Sequence, residues 1–419
     1  MACFSSLSTG VLDMYDLIIV GGGPSGASAG RVAGKAGIST LLIEKENFPR
    51  YKPCGGALSP YALSCLDFKL PEYLIEKDIS RIRVHFRELC TEMQKDYSIA
   101  LLVSRKAFDN FLLDKARETG IDIHSGEKVL DCEEGEECVE VRTSQNTYLA
   151  KFVLIAEGSE GVLKYSVRKR KDRRTEYDLA LVSEIPERDK VIRKRFPNAI
   201  DMHFGIASGG YGWIFPHSEH YSVGIVGTAE HLKHPKAVMQ DFLQANGFSG
   251  DFQVHSHIIP VGGIKRKTIS SRILLSGDAA GFVDAFIGEG ISYAIRSGQL
   301  AAENVAEIVL YNRKLSDLKE YETSCRKEFG NFLSSSLKLE KAMHRFPETS
   351  FRLALSRKEI IDKYLEEVVI NRSHKDYVRW LLLNFSLSEP ASKIKSIKKQ
   401  VRANPRHFNG GIQPVNFLT

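Results

Sequence analysis

Gly21, Gly23 and Gly26, followed by Glu44, have the residue types and spacing to hold a pyrophosphate and a ribose. A pyrophosphate needs backbone N–H groups at the start of a helix and an approach with no Cβ in the way. Gly21 permits the tight turn, Gly23 the close approach and Gly26 the packing of helix on sheet, while Glu44 is placed to accept hydrogen bonds from ribose hydroxyls. A carboxylate at that place disfavours a 2′-phosphate, which favours FAD or NAD over NADP.

The elements that must position these residues can be read around them. Residues 15–20 form an apolar strand, 25–36 a small-residue helix and 41–44 a second strand ending in the acid. Far along the chain, 273–281 repeats a strand and turn, and Gly290 and Ile291 begin a helix running to about residue 311. Asp278 in that turn can bind a polyol hydroxyl, and the amides at Gly290 and Ile291 can face a developing anion. The cofactor is therefore expected to be held by both ends of the sequence.

Between these ends, residues 47–57 are too rich in proline and glycine for helix or central strand. Cys54, followed by Gly55 and Gly56, reads either as amides facing a flat ligand or as a simple turn with a buried thiol. Arg105 opens a helix running to about residue 119, where a cation opposes the macrodipole and calls for an anionic partner. A surface ion pair and a cofactor phosphate both meet that need. Short alternating strands over 121–157 return to the parallel sheet, and 178–230 reads as an inserted antiparallel sheet. Tyr211, Trp213 and Phe215 alternate along one of its strands and so share a face, either as ordinary core or as the wall of an apolar pocket.

Composition bounds the rest. The 419 residues suit two or three structural units, and no apolar run approaches a bilayer span. The net charge of +6 is matched by Lys393, Lys395, Lys398, Lys399, Arg402 and Arg406, an acid-free stretch read as a solvated tail or as attraction to anionic headgroups. The basic run 164–174 reads as an exposed loop, with no nucleic-acid motif. Seven scattered cysteines have no Cys/His ligand spacing, so no metal is expected, and the set suits a reducing cytosol. Met1 to Asp13 lack the features of a secretory signal and are expected to be disordered, with Met14 an alternative start.

The order of motifs resembles the geranylgeranyl reductases among the p-hydroxybenzoate-hydroxylase-type flavoproteins, from Gly21 through Gly26, Glu44, Lys52-Pro53-Cys54-Gly55-Gly56, Arg105 with Phe108-Asp109 and Gly277-Asp278-Ala279-Ala280-Gly281 to Gly288-Glu289-Gly290-Ile291. The resemblance covers about residues 14 to 330 and implies FAD. It implies that Ser25 and Glu44 contact pyrophosphate and ribose, that Cys54 and Gly55 lie beside the isoalloxazine, and that Arg105 and the strand around Val129 contact phosphate and adenosine. Asp278 would hold the ribitol, with Gly290 and Ile291 at the pyrimidine edge. Tyr211, Trp213 and Phe215 resemble the Y-x-W-x-F-P core that lines the family's isoprenoid tunnel. Two positions depart from the family: Ser208 replaces a proline before Tyr211, and Glu157 stands where related hydroxylases carry aspartate.

The expected fold is α/β: a glutathione-reductase-like Rossmann FAD domain (14–175 plus 265–330), an inserted antiparallel-sheet substrate domain (176–264) and a helical C-terminal region (331–419) with a basic tail. The expected activity is reduction of isoprenoid C=C bonds in a geranylgeranyl-type lipid, by hydride from reduced FAD and a proton for which Cys54 is a candidate donor. Reduced ferredoxin or NAD(P)H would supply electrons, in the cytoplasm or at the inner face of the cell membrane, with no nucleic-acid partner. An aromatic monooxygenase or halogenase shares the scaffold, and a non-catalytic prenyl-binding protein is the rival from another class.

Overall fold

The computed structural model describes residues 14–370 and 374–384. The expectations for Met1 to Asp13 and for the stretch Lys393 to Arg406 lie outside the described residues.

The first sheet contains β1 (Met14–Val20), β2 (Thr40–Glu44), β8 (Asp122–Ser125), β9 (Val129–Glu134), β10 (Val139–Thr143), β11 (Thr147–Ile155) and β17 (Ile273–Leu275). Its order is β8-β2-β1-β11-β10-β9, with β17 on β11. Strands β1, β2, β8, β11 and β17 pair in parallel, and β9 and β10 continue antiparallel. Leu17, Ile18 and Ile19 are fully buried, as both faces of a parallel sheet require. Helices α1 (Pro24–Ala36), α3 (Arg105–Arg117) and α8 (Ile291–Leu310) cover it, and a Cβ at Gly298 would lie 2.1 Å from the Ser25 carbonyl oxygen. That closeness locks α8 against the start of α1.

The second sheet contains β5 (Arg81–Phe86), β6 (Leu89–Gln94), β12 (Tyr177–Pro186), β13 (Ala199–Phe204), β14 (Tyr211–Pro216), β15 (His220–Thr228) and β16 (His255–Pro260), ordered β16-β12-β15-β14-β13-β5-β6. Five of its seven strands fall in 176–264, while β5 and β6 come from 81–94, inside the stretch expected to serve the first sheet. Because β5 runs parallel to β13, the sheet is mixed rather than wholly antiparallel. A three-stranded sheet, β3 (Ala57–Leu58), β7 (Ala100–Leu102) and β4 (Lys77–Ile79), lies beside it, its Ile79, Ala100 and Leu102 packing with Ile200.

Each face of the second sheet buries a different partner. Val84, Phe86, Val182, Met202 and Phe204 meet the C-terminal helices α10 (Asn331–Arg345), α11 (Pro347–Ser356), α12 (Lys358–Tyr364) and α13 (His374–Asn384). Phe351 stacks on Phe204 with ring centroids 4.5 Å apart. Leu181, Ile214, Val223 and Ile225 face α5 (Asp189–Arg195) and α6 (Pro235–Ala245). Short helices α2 (Pro60–Ser64), α4 (Lys164–Arg168) and α7 (Gly277–Ala280) lie in connections, and α9 (Lys319–Cys325) leads into the C-terminal group. Among the described residues no helix is long and apolar enough to cross a membrane.

Candidate functional site

The turn between β1 and α1 is shaped by backbone crowding. Gly21 has φ +106°, and a Cβ there would lie 2.5 Å from the Ala156 carbonyl oxygen; one on Gly26 would lie 1.8 Å from that of Gly21. A Cβ on Gly23 would meet only Arg50 Nη2, 3.5 Å away, so this residue faces open space. Helix α1 has no side-chain cap and no acid in its first turn, which leaves its first amides available to an anion. Glu44 is buried and accepts from the amides of Gly22 at 2.6 Å and Glu46 at 2.9 Å, fixing the end of β2 to the glycine turn. Ser25 Oγ lies 2.6 Å from Ser276 Oγ and joins this turn to the one at the far end of the chain.

Opposite stands the start of α8, where Gly290 is the N-cap without a side-chain cap and Ile291 the first helical residue. Asp278 on α7 lies beside it, its Oδ1 3.2 Å from where a Gly290 Cβ would be. Burial raises the Asp278 carboxyl, but His257, Lys52 and Arg105 outweigh that and hold it below the usual carboxylate range. The loop 284–290 is anchored by Tyr211, whose hydroxyl donates to the Ile287 carbonyl.

Cys54 lies in the expected loop, where its Sγ accepts from the Gly56 amide at 3.4 Å. A Cβ on Gly55 would come 2.8 Å from the Phe215 ring, so this loop touches the aromatic strand β14 directly. Arg105 does have an anionic partner, and it is Asp109: Nε and Nη2 donate to its two oxygens at 2.8 Å each. Its guanidinium lines the cavity while committed to that carboxylate, so its positioning within the protein does not require a cofactor phosphate.

Sequence reasoning missed a polar cluster beside Asp278. Lys52 Nζ is 3.2 Å from His257 Nε2, which lies 3.3 Å from Ser159 Oγ and 3.9 Å from Asp278 Oδ2, and His257 Nδ1 is 3.4 Å from Glu160 Oε1. Burial lowers the Lys52 ammonium below its ordinary range, against the attraction of Asp278. The alternation His255-Ser256-His257 on β16 was the available signal. Glu157, the departure from the hydroxylase pattern, accepts from the Lys164 amide at 3.0 Å, folded beneath Gly161.

One cavity of about 990 Å³ joins these groups. Gly21, Gly23, Ser25, Glu44, Cys54, Gly55, Arg105, Val129, Asp278, Gly290 and Ile291 line its polar part, and Tyr211, Trp213 and Phe215 its other side. Gly26 sits behind the turn, in the packing role expected of it. Beyond the aromatics the walls are apolar: Val84, Val182, Met202, Met343, Leu355 and Ile361 are among them. The part played here by α10 to α13 had no local signal, because apolar helix faces read alike whether they cover core or a cavity. Two uncapped helix starts, an open glycine turn, a buried acid at the end of β2 and a half-buried aspartate form a donor set that fits a dinucleotide carrying a polyol.

The model of the FAD binding domain family matches residues 14–333. An uncharacterized protein of Methanosarcina barkeri is 30% identical over 297 residues, 70% of this chain and 75% of that protein. Digeranylgeranylglycerophospholipid reductase 1 of Methanococcoides burtonii is 28% identical over 377 residues, 84% and 90% of the two chains. Among solved structures, a geranylgeranyl bacteriochlorophyll reductase-like protein from Thermoplasma acidophilum superposes with a TM-score of 0.76 at 22% identity, covering 93% of this chain and 99% of that one. The flavin-dependent brominase Bmp2 gives 0.67 at 20%, covering 94% and 100%. At such identities the two structures speak to the fold alone.

Proposed function

The chain belongs to the FAD binding domain family of oxidoreductases, and on that premise we propose that it saturates isoprenoid C=C bonds of a geranylgeranyl-type lipid. The observation that carries this reading is the single cavity whose polar part suits FAD and whose continuation is walled by apolar side chains from the second sheet and the C-terminal helices. The reductases named among its relatives support the same substrate class.

Gly21, Gly23 and the start of α1 would take the pyrophosphate, Glu44 and Val129 the adenosine side, Asp278 the ribitol, and Gly290 and Ile291 the pyrimidine edge. When bound and reduced, FAD supplies a hydride to one alkene carbon. The chain must then do three things. Tyr211, Trp213 and Phe215 orient the prenyl segment; the apolar walls exclude water, which strengthens every charge interaction inside; and a group at the polar end gives a proton to the other alkene carbon. Cys54 is the candidate for that proton by position, its Sγ held by the Gly56 amide in the loop against Phe215. An unactivated alkene resists hydride, so protonation must come early or together with it. The second sheet with the C-terminal helices is thus the substrate unit. Electrons would come from reduced ferredoxin or NAD(P)H, and the basic stretch Lys393 to Arg406 would hold the enzyme at an anionic membrane face.

The test is anaerobic. Flavin is reduced with dithionite, excess reductant is removed, and geranylgeranyl lipids are added while flavin absorbance and lipid mass are followed. Flavin reoxidation matched by hydrogen gain is expected. Reduced flavin that ignores every lipid but reacts with oxygen and an aromatic substrate overturns the reading in favour of a monooxygenase, and a colourless protein that binds prenyl lipid points to a carrier.

A further inference from the structure

We propose that His85, Asp201 and His203 form a binding site for a divalent transition-metal ion, zinc foremost, on the face of the second sheet turned away from the cavity. The placement follows from strand periodicity. Ile82 and Val84 of β5 and Ile200, Met202 and Phe204 of β13 line the cavity, so residues 83, 85, 201 and 203 project from the other face. The parallel register pairs His85 with His203 and Arg83 with Asp201. Two imidazoles therefore stand side by side on neighbouring strands, stacked with ring centroids 4.1 Å apart and planes 3° from parallel. Asp201 lies two residues before His203 on the same face.

The donor atoms lie close together, and because the stacked rings hold their lone pairs in parallel planes, one imidazole must turn about its side-chain torsions for both to meet a single ion. Asp201 Oδ2 is 3.5 Å from His85 Nε2 and 3.8 Å from His203 Nε2, and the three ligand atoms all lie within 4.8 Å of one another. Around a tetrahedral zinc with bonds of about 2.0–2.3 Å, ligand atoms stand roughly 3.3–3.8 Å apart. His203 Nε2 is buried and has no hydrogen-bond partner, a cost that an ion would remove. Asp201 is already oriented to ligate, because Arg83 Nε donates to its Oδ1 at 2.5 Å and leaves Oδ2 toward the imidazoles. Such an outer partner is what fixes a ligating carboxylate in known metal sites. The cluster is hidden in the linear sequence because its two histidines lie on strands far apart in the chain.

The fourth position has two sources in view. Cys90 on β6 is the cross-strand partner of His85, with Sγ 3.9 Å from His85 Nε2; water is the other. On the adjoining strand Gly212 faces His203, and the Phe242 ring packs edge-on against that imidazole with centroids 5.1 Å apart, closing this side of the row without offering a competing ligand. An ion here ties β5 to β13, the parallel pairing in a sheet whose other described pairings are antiparallel, and so has a structural role apart from the cavity.

The test uses tag-free, FAD-loaded protein stripped with a chelator and titrated with ZnCl2 and with CoCl2. One ion per chain is expected, with visible Co²⁺ absorption of a four-coordinate site and a rise in thermal midpoint on adding zinc. H203Q and H85Q should each weaken binding by more than about tenfold and abolish the zinc-dependent rise. Flavin absorbance reports whether each variant is folded, and D201N supplies a further ligand change should one histidine variant fail. C90S assigns the fourth ligand: loss of a near-ultraviolet thiolate-to-cobalt band names sulfur, and an unchanged spectrum names water, both with the three-residue site intact. No binding at metal concentrations up to about 1 mM, or binding equal in wild type and the folded ligand variants, overturns the proposal.

Discussion

Asp178 gives a test of how the second sheet and the C-terminal helices fit together. It lies on β12 opposite Thr228 and Ile259, on the same face as the cavity-lining Ala180 and Val182. It is 7% exposed, and Glu340 on α10 is 9% exposed. Burial first, and then the Glu340 carboxyl, pushes Asp178 up to about 8; burial pushes Glu340 up to about 7. An acid with a raised folded pKa holds its proton better when folded, so its contribution is fully present below its unfolded pKa and is lost as pH rises toward the folded one. For Asp178 that window runs from 3.8 to about 8. At about 1.4 kcal/mol per unit the loss is capped at about 6 kcal/mol, and water entry with side-chain rotation should leave about 1–3 kcal/mol. D178N removes this titration. Denaturant unfolding followed by fluorescence of Trp213 and Trp380 should show D178N more stable than wild type by that amount near pH 8, with the difference shrinking toward pH 5. A difference that stays flat over this range, or a less stable variant near pH 8, refutes the reasoning.

Other substitutions probe the cofactor turn, the chemistry and the packing. G26V puts side-chain atoms where even a Cβ would lie 1.8 Å from the Gly21 carbonyl oxygen, so FAD affinity, measured by flavin fluorescence, should fall more than about tenfold. C54A should keep FAD yet slow alkene reduction by about 10²-fold or more, as loss of a general acid does; unchanged turnover removes Cys54 from the mechanism. Y211F leaves the Ile287 carbonyl without its hydroxyl donor and should cost about 1–3 kcal/mol in denaturant unfolding. F351A empties the space against Phe204 and Phe86 and should cost about 3–5 kcal/mol, a loss much smaller than this meaning that the C-terminal helices close loosely over the sheet.

The polar half of the site was legible because close backbone approach leaves a trace in residue type. Only glycine fits at Gly21 and Gly26, and an acid at the end of β2 has few other reasons to be buried. The partner of Arg105 was equally within reach, since Asp109 stands one helical turn on. What escaped depended on register. The run Arg81-Ile82-Arg83-Val84-His85-Phe86 alternates like a strand, but nothing local says that it joins β13 in the second sheet rather than the first. The cluster around His257 and the row of His85 with His203 are invisible for the same reason, since each gathers residues remote in sequence. The C-terminal helices escaped because an apolar face carries no mark of what it covers.

The pairing of β5 with β13 also sets an order of events. The β5–β6 hairpin leaves the ribosome long before residues 199–204 exist, and β1 must likewise wait for β11. The first sheet also waits for β17 and the second for β16, so both remain incomplete until the chain is more than half synthesised. Contacts so distant in sequence slow folding and leave strand edges exposed meanwhile. Production at low temperature or with chaperones should therefore raise the soluble yield, and a cut between the two sheets should give fragments that fail to fold separately.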